Sequence, residues 1–248
     1  MTRASKRHHT VSRFYLSYFA NDADQVTTVE TPDGKSYTQS VANASVQSHF
    51  YTAVDISGEP TDKAEQSFGI LEGLAAKAWR GIASGIWPLP QDLRAAMAGW
   101  LALHLLRGPN VRTALAEMNT SYLTLSAVLG GRALVREALE EHGQPADEEA
   151  VNRAWVGFFA DPSAASVSAN EHLRFVGRAL PEVMNLLLDR VWFLSVYEQK
   201  RLATCDHPVF VVPNSAPHEV GRVVDPDRVR PVRRPIRERP PFTADRTR

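Results

Sequence analysis

The sequence predicts a mainly α fold with a small mixed β-sheet, an α+β arrangement in which N- and C-terminal strands pair beside a helical body. Three observations predict it. Apolar residues recur at helical spacing through most of residues 62–190. Runs rich in β-branched and aromatic residues are confined to 25–54 and 191–213. Proline and glycine at 88–90 and 108–109 cut the helical region into separate elements. A chain of 248 residues can bury one large core, and residues 1–213 are assigned to a single domain.

The first element is a helix capped by Thr10, because Val11, Phe14, Tyr15, Tyr18 and Phe19 share one helical face. Two β-rich runs around Asp33-Gly34 read as a hairpin, and residues 50–54 as a third short strand. A helix begins near Asp62, with Phe68, Leu71, Ala75, Trp79, Ile82 and Ile86 as its stripe, and stops at Pro88-Leu89-Pro90. A second begins at Gln91, with Leu93, Met97, Trp100, Leu101 and His104 on one face, and breaks at Arg107-Gly108-Pro109. Helical periodicity resumes over 110–141 and 147–160. Leu173, Val176, Leu180, Met184 and Leu187 mark a last long helix, in which Pro181 should produce a kink. Beyond Arg190, two or three strands are expected to join the N-terminal hairpin in one sheet. Residues 214–248 are expected to be a disordered tail: 228–248 alone hold eight Arg and four Pro.

Formal net charge is zero, but it is unevenly placed. Residues 1–13 carry +4 and residues 228–248 carry +6, so the body between them carries −10. An acidic body does not support nucleic-acid binding, although each basic end could touch a phosphate backbone. The one cysteine, Cys205, fits a reducing compartment, and the amino-terminal residues lack the apolar run of a secretion signal. The longest apolar stretch, Met97–Leu106, is too short to cross a bilayer. A cytoplasmic protein without a membrane partner is expected. P-loop, G-x-G-x-x-G, G-x-S-x-G, H-E-x-x-H and C-x-x-C patterns are absent, which weighs against nucleotide cofactors, serine hydrolase chemistry and structural zinc.

Four constellations could carry chemistry. His8-His9 stands before the first helix, whose positive end favours neutral imidazole, as a metal ligand or general base requires. The plain alternative is a pair of polar residues at a helix start. Asp206, followed by His207 and Pro208, ends an expected strand, or else forms a turn. Glu65 and Glu72 lie two turns apart on one helix face and could act as acid, base or ligand, or form a solvated flank. Arg107 and Arg112 flank the Gly108-Pro109 break and could clamp an anion, or pair with Glu65 or Glu72. His104 reads as a core histidine. The candidate catalytic set is His9, Asp206 and Glu65; the candidate metal set is His8, His9 and Asp206, for a divalent ion. Arg107 and Arg112 are the candidate binding residues.

Residues Lys6 through Phe19 carry K-x-H-H-x-V followed by Tyr15, Leu16 and Phe19. They resemble the opening of a bacterial family known as domain of unknown function 4238, whose motif is K-x-H-H-x-V-P-x-x-Y-L-x-x-F. The resemblance extends through Phe50-Tyr51, the Glu65/Glu72 helix, Arg107-Gly108-Pro109, and a late T-S-D-x-P-V motif at Thr204, Asp206, Pro208 and Val209. Ser12, Cys205 and His207 replace the family's proline, serine and usual asparagine. The resemblance implies a fold and marks His8, His9 and Asp206 as motif residues, but implies no reaction. The expected function is a binding or regulatory module in which the two motifs are structural. The alternative is a metal-assisted hydrolase of phosphodiesters, nuclease-like, using His8 or His9 with Glu65 and Asp206.

Overall fold

A computed structural model, which describes residues 6–160, 167–197 and 202–211, shows six helices and six short strands among them. Strand β1 (Arg7–His9) precedes a single helical turn, α1 (Arg13–Leu16), which runs on as a 3₁₀ turn over Ser17–Phe19. Strands β2 (Gln25–Val29) and β3 (Ser36–Ser40) form the expected hairpin, with Val29 opposite Ser36 and Gly34 at φ +69° in the connection. Strand β4 (Val46–Ser48) pairs antiparallel with β1, placing His8 opposite Gln47. Strands β5 (Ala53–Val54) and β6 (Pro60–Thr61) form a third two-stranded ladder.

The helices are α2 (Lys63–Ala83), α3 (Gln91–Leu106), α4 (Pro109–Glu141), α5 (Glu148–Ala160) and α6 (Ala169–Leu188). Helix α3 is apolar nearly all round, and a helix of that kind belongs in a centre rather than at a surface. It packs on both α2 and α6. Gly99 permits this approach, since a Cβ there would lie 2.9 Å from Leu71 Cδ1 and 3.7 Å from Met184 Sδ. Pro109 does not merely stop α3. It occupies the first turn of α4, where its missing N–H costs nothing, and extended Gly108 is the residue before it. The span α4 is two helices joined at Gly131, whose φ of +60° and ψ of −155° are not helical. Ser168 and Glu171 form a reciprocal capping box that starts α6, and α6 continues through Pro181.

Two apolar clusters line α3. One gathers Val11, Tyr15 and Leu16 with Val41, Ala75, Ala78, Met97 and Trp100. The other gathers Tyr51, Phe68, Leu103, Leu106 and Val176. No helix among the described residues is long and apolar enough to cross a membrane.

The mainly α character with small sheets is as expected, but the pairing of N- and C-terminal strands is not found. Residues 191–197 and 202–211 contain no strand, and the described ladders are three separate antiparallel pairs rather than one mixed sheet. Among the described residues β1 pairs only with β4, and β2 only with β3. The late apolar residues act as anchors instead. Trp192 Nε1 donates to the Leu187 carbonyl, Trp192 and Val209 pack on the first cluster, and the Tyr15 and Thr204 hydroxyls lie 3.0 Å apart. Arg94 closes the end of α6 by donating to the Leu188 and Arg190 carbonyls. The first helix starts at Arg13 rather than after Thr10, because the Thr10 amide donates to the Ser45 carbonyl and prolongs the β1–β4 pairing. Phe50-Tyr51 is not a strand either. Tyr51 is a buried wedge.

The chain divides into two units. The first comprises residues up to Trp192 together with 201–210; the second comprises 193–200 and 211–248, of which only 193–197 and 211 are described. The expected tail at 214–248, with the basic end at 228–248, lies outside the described residues, as do residues 1–5 of the basic amino-terminal end at 1–13; Lys6, Arg7 and Arg13 of that end are described.

Trp100 is buried between α1 and α2, in ring contact with Phe14, Tyr15 and Trp79. Trp100→Ala is expected to lower unfolding free energy by about 3–5 kcal/mol, read as a shift in the urea midpoint without a change in slope.

Candidate functional site

Strand geometry separates the two adjacent histidines. Successive side chains of a strand point to opposite faces. His8 turns inward and is fully buried; His9 turns to the other face beside Arg7. His8 Nδ1 accepts the Tyr51 amide at 2.7 Å, and its ring lies 5.6 Å from the Tyr51 ring. Tyr51 in turn donates its hydroxyl to the Arg107 carbonyl at 2.8 Å. Burial pushes the Tyr51 phenol up, so it stays protonated as that bond requires.

Arg107 is the centre of the inner face. It leaves α3 at its last turn and is almost fully buried. Its Nε donates to the Thr10 carbonyl, one terminal nitrogen to Glu72 Oε1 at 2.7 Å, and the other to Ser12 Oγ and His104 Nε2. Ser12 Oγ donates to the same Glu72 oxygen and accepts from Trp100 Nε1. The Ser12 amide also points at His104 Nε2. Because Nε2 receives donors, the proton of His104 belongs on Nδ1, which faces the Trp100 carbonyl at 3.0 Å. Burial first, then the Arg107 charge, holds His104 well below the usual imidazole range, so it is neutral. Ser12 stands where the resembling family has proline, and its hydroxyl and amide both make bonds that proline could not.

Arg112 has a parallel role within the first turn of α4. It donates to the Phe50 carbonyl and to His172 Nδ1, and its guanidinium lies 3.8 Å from the Phe50 ring centroid. His172 Nε2 then faces the Leu106 carbonyl, and burial keeps the ring neutral. Arg107 and Arg112, candidates for anion binding from sequence, thus spend their donors on the protein itself.

The outer face is different. Arg7, His9, Arg13, Phe14, Glu65, Glu72, Gly73 and Ala76 line an open cavity of about 370 Å³. Glu65 and Glu72 reach it from one face of α2, two turns apart, and Gly73 and Ala76 keep its floor free of bulk. Glu72 is held by Arg107 and Ser12. His9 Nε2 and Glu65 Oε1 are buried without a hydrogen-bond partner. Burial raises the Glu65 carboxyl to about 6, with Arg107 partly opposing the shift. Burial, followed by Arg13, lowers His9. The cavity therefore holds a neutral imidazole and a carboxyl that changes protonation in the physiological range.

The expected residues are divided by this arrangement. His9 and Glu65 share the cavity, whereas His8 faces the core. Asp206 does not line it. Its side chain is 75% exposed and lies 3.1 Å from His207 Nδ1. The His207 ring packs against Gly108, where a Cβ would come within 3.3 Å of it. Among the described residues, no group of three or more His, Cys, Asp or Glu side chains could hold a metal ion. The set His8, His9 and Asp206 accordingly does not form a ligand cage. His8 Nδ1 is used by Tyr51, and Asp206 sits on another surface. Sequence reasoning missed Arg7 and Arg13 as cavity residues. The signal was present in strand alternation, which puts Arg7 on the His9 side, but a three-residue strand is too short to announce itself.

Residues 7–226 match the model of a family described as a protein of unknown function, DUF4238, and the chain belongs to that family. No curated protein and no solved structure matches it.

Removing one partner of a buried ion pair leaves the other uncompensated. Arg107→Ala is expected to cost about 3–5 kcal/mol in chemical denaturation. Arg107→Lys should recover only a fraction of this, since a single ammonium cannot serve the Thr10, Ser12, His104 and Glu72 acceptors together.

Proposed function

We propose that this protein is a binding module whose N-terminal cavity takes a small polar ligand bearing an anionic group. The observation that carries this reading is the pair of buried, unpartnered atoms, His9 Nε2 and Glu65 Oε1, on the wall of one open cavity. Buried polar atoms are nearly always bonded, and two such atoms on residues that line a common space call for a ligand that supplies the bonds. Arg13, at the rim, offers a cation to the ligand's anionic end, and Phe14 offers an apolar wall. The network of His8, Tyr51, Ser12, His104, Arg107 and Glu72 is scaffold in this reading, and it holds the cavity floor in place. The single cysteine supports a reducing, cytoplasmic setting.

A second reading, hydrolysis, draws on one further observation: a carboxyl raised to about 6 and a neutral histidine line the same cavity, where each can exchange a proton with a bound ester near neutral pH. It rests on acid–base chemistry by Glu65 and His9 and routes no step through a metal ion.

Thermal-shift and calorimetric titration with hydroxy acids, amino acids and phosphate monoesters would test both readings. One class is expected to raise the melting temperature, and His9→Ala and Arg13→Ala should each weaken that response about tenfold or more. If no class binds, the binding reading falls. If a bound ester is cleaved and Glu65→Gln binds it without cleaving it, the hydrolytic reading replaces the first.

The Glu65 carboxyl also sets a pH dependence. Its folded value lies above the ordinary 4.5, so its contribution to stability is full below about 4.5 and is lost as pH rises through about 6. The lowered His9 works the opposite way, losing stability as pH falls below the usual imidazole range. Glu65→Gln removes only the first effect. The variant should gain on the order of 1 kcal/mol over the native chain between acidic and mildly alkaline pH, allowing for solvent screening of a half-buried group. Paired denaturation curves at the two pH values would measure it.

A further inference from the structure

The cavity between β1 and α2 carries more acceptors than its own surroundings use. His9 Nε2 and Glu65 Oε1 are buried and have no hydrogen-bond partner. Both hydrogen bonds that the Glu72 carboxylate accepts among the described residues, from Arg107 and Ser12, fall on Oε1, so Oε2 keeps its lone pairs. Ionised carboxylates only accept, and a neutral imidazole with its proton on Nδ1 accepts at Nε2. A primary ammonium, with three N–H donors, matches three such acceptors on the residues of one cavity. The cations of the lining are disposed differently. Arg7 donates to the Ala42 carbonyl and to Asn43 Oδ1. The Arg13 side chain is exposed and makes no hydrogen bond or ion pair among the described residues, so its donors are open to an anion.

We infer that the ligand of this cavity is a free α-amino acid, whose ammonium sits on Glu65, Glu72 and His9 and whose carboxylate sits on Arg13. This deepens the binding-module reading and rests on it. The formal charges of Arg7, Arg13, Glu65 and Glu72 cancel. A zwitterion preserves that balance, whereas a hydroxy acid or a phosphate ester brings a bare anion towards two carboxylates. A cation beside Glu65 also favours the ionised form that burial opposes in this carboxyl. Phe14 and Ala76 supply apolar lining for the amino acid's side chain, and about 370 Å³ leaves room for it.

Calorimetric titration of the full chain with each common L-α-amino acid tests this, with the matched α-hydroxy acid and the matched amine lacking the carboxylate run beside it. At least one amino acid is expected to bind, and its hydroxy-acid and amine counterparts should bind about 10–100-fold more weakly. Glu65→Gln should erase most of the preference over the hydroxy acid, and Arg13→Ala most of the preference over the amine. Each preference is measured within one variant, so a general loss of stability does not imitate its disappearance. An amino acid that binds no better than its hydroxy acid, or preferences that survive these substitutions, would overturn the inference. If a hydroxy acid or a phosphate monoester binds and no amino acid does, the inference falls while the binding-module reading stands. If none of the three classes binds, both fall.

Discussion

A guanidinium taken out of water must have its donors matched, or the fold containing it is not stable. Arg107 meets that condition only if three pieces of chain are in place: the segment after β1, with the Thr10 carbonyl and the Ser12 hydroxyl; α2, with the Glu72 carboxylate; and its own helix α3, with the His104 ring. Each comes from a different position in the sequence, so the arginine selects one arrangement of β1, α1, α2 and α3 from the many that would bury similar apolar area. The neutral state of His104 belongs to the same constraint. An imidazolium there would face the guanidinium at 3.0 Å and lose its role as acceptor.

The same network determines what the cavity can be. Glu72 belongs to both, facing the cavity while bound to Arg107 and Ser12. Its charge is thereby already answered. Glu65, two turns away and without such partners, is the carboxyl whose protonation stays open. Two glutamates on one helix face thus acquire different chemical characters from what stands behind them. His8 and His9 divide in the same way, one consumed by the core and the other left facing the open space.

The helical portion of this arrangement was legible because its cause is local. The stripes of α2 and α3 and the Gly108-Pro109 break follow from spacing and backbone restriction alone. The pairing of β1 with β4 was not legible, since three residues cannot display an alternation. The late β-branched runs misled for a related reason. Residues such as Trp192 and Val209 suit a sheet, but they equally suit anchoring extended chain onto helices, which is the use they have here. Of the candidate site, Glu65 and His9 could be named because spacing and residue type point to them. That Asp206 would stay outside the cavity, and that Arg107 and Arg112 would turn inward, depends on packing between distant segments, which periodicity does not encode.

The hydrogen bond between Tyr15 and Thr204 joins positions 189 residues apart, and His207 closes over Gly108 from the same late segment. A chain synthesised from its amino terminus at roughly 5–20 residues per second makes Tyr15 and Trp79 well before it makes the residues that cover them. For on the order of ten seconds or more, the aromatic cluster around α1 stands without its last wall. The emerging chain therefore presents an incomplete apolar surface to the ribosome's surroundings, and native closure waits on the last described stretch of the domain.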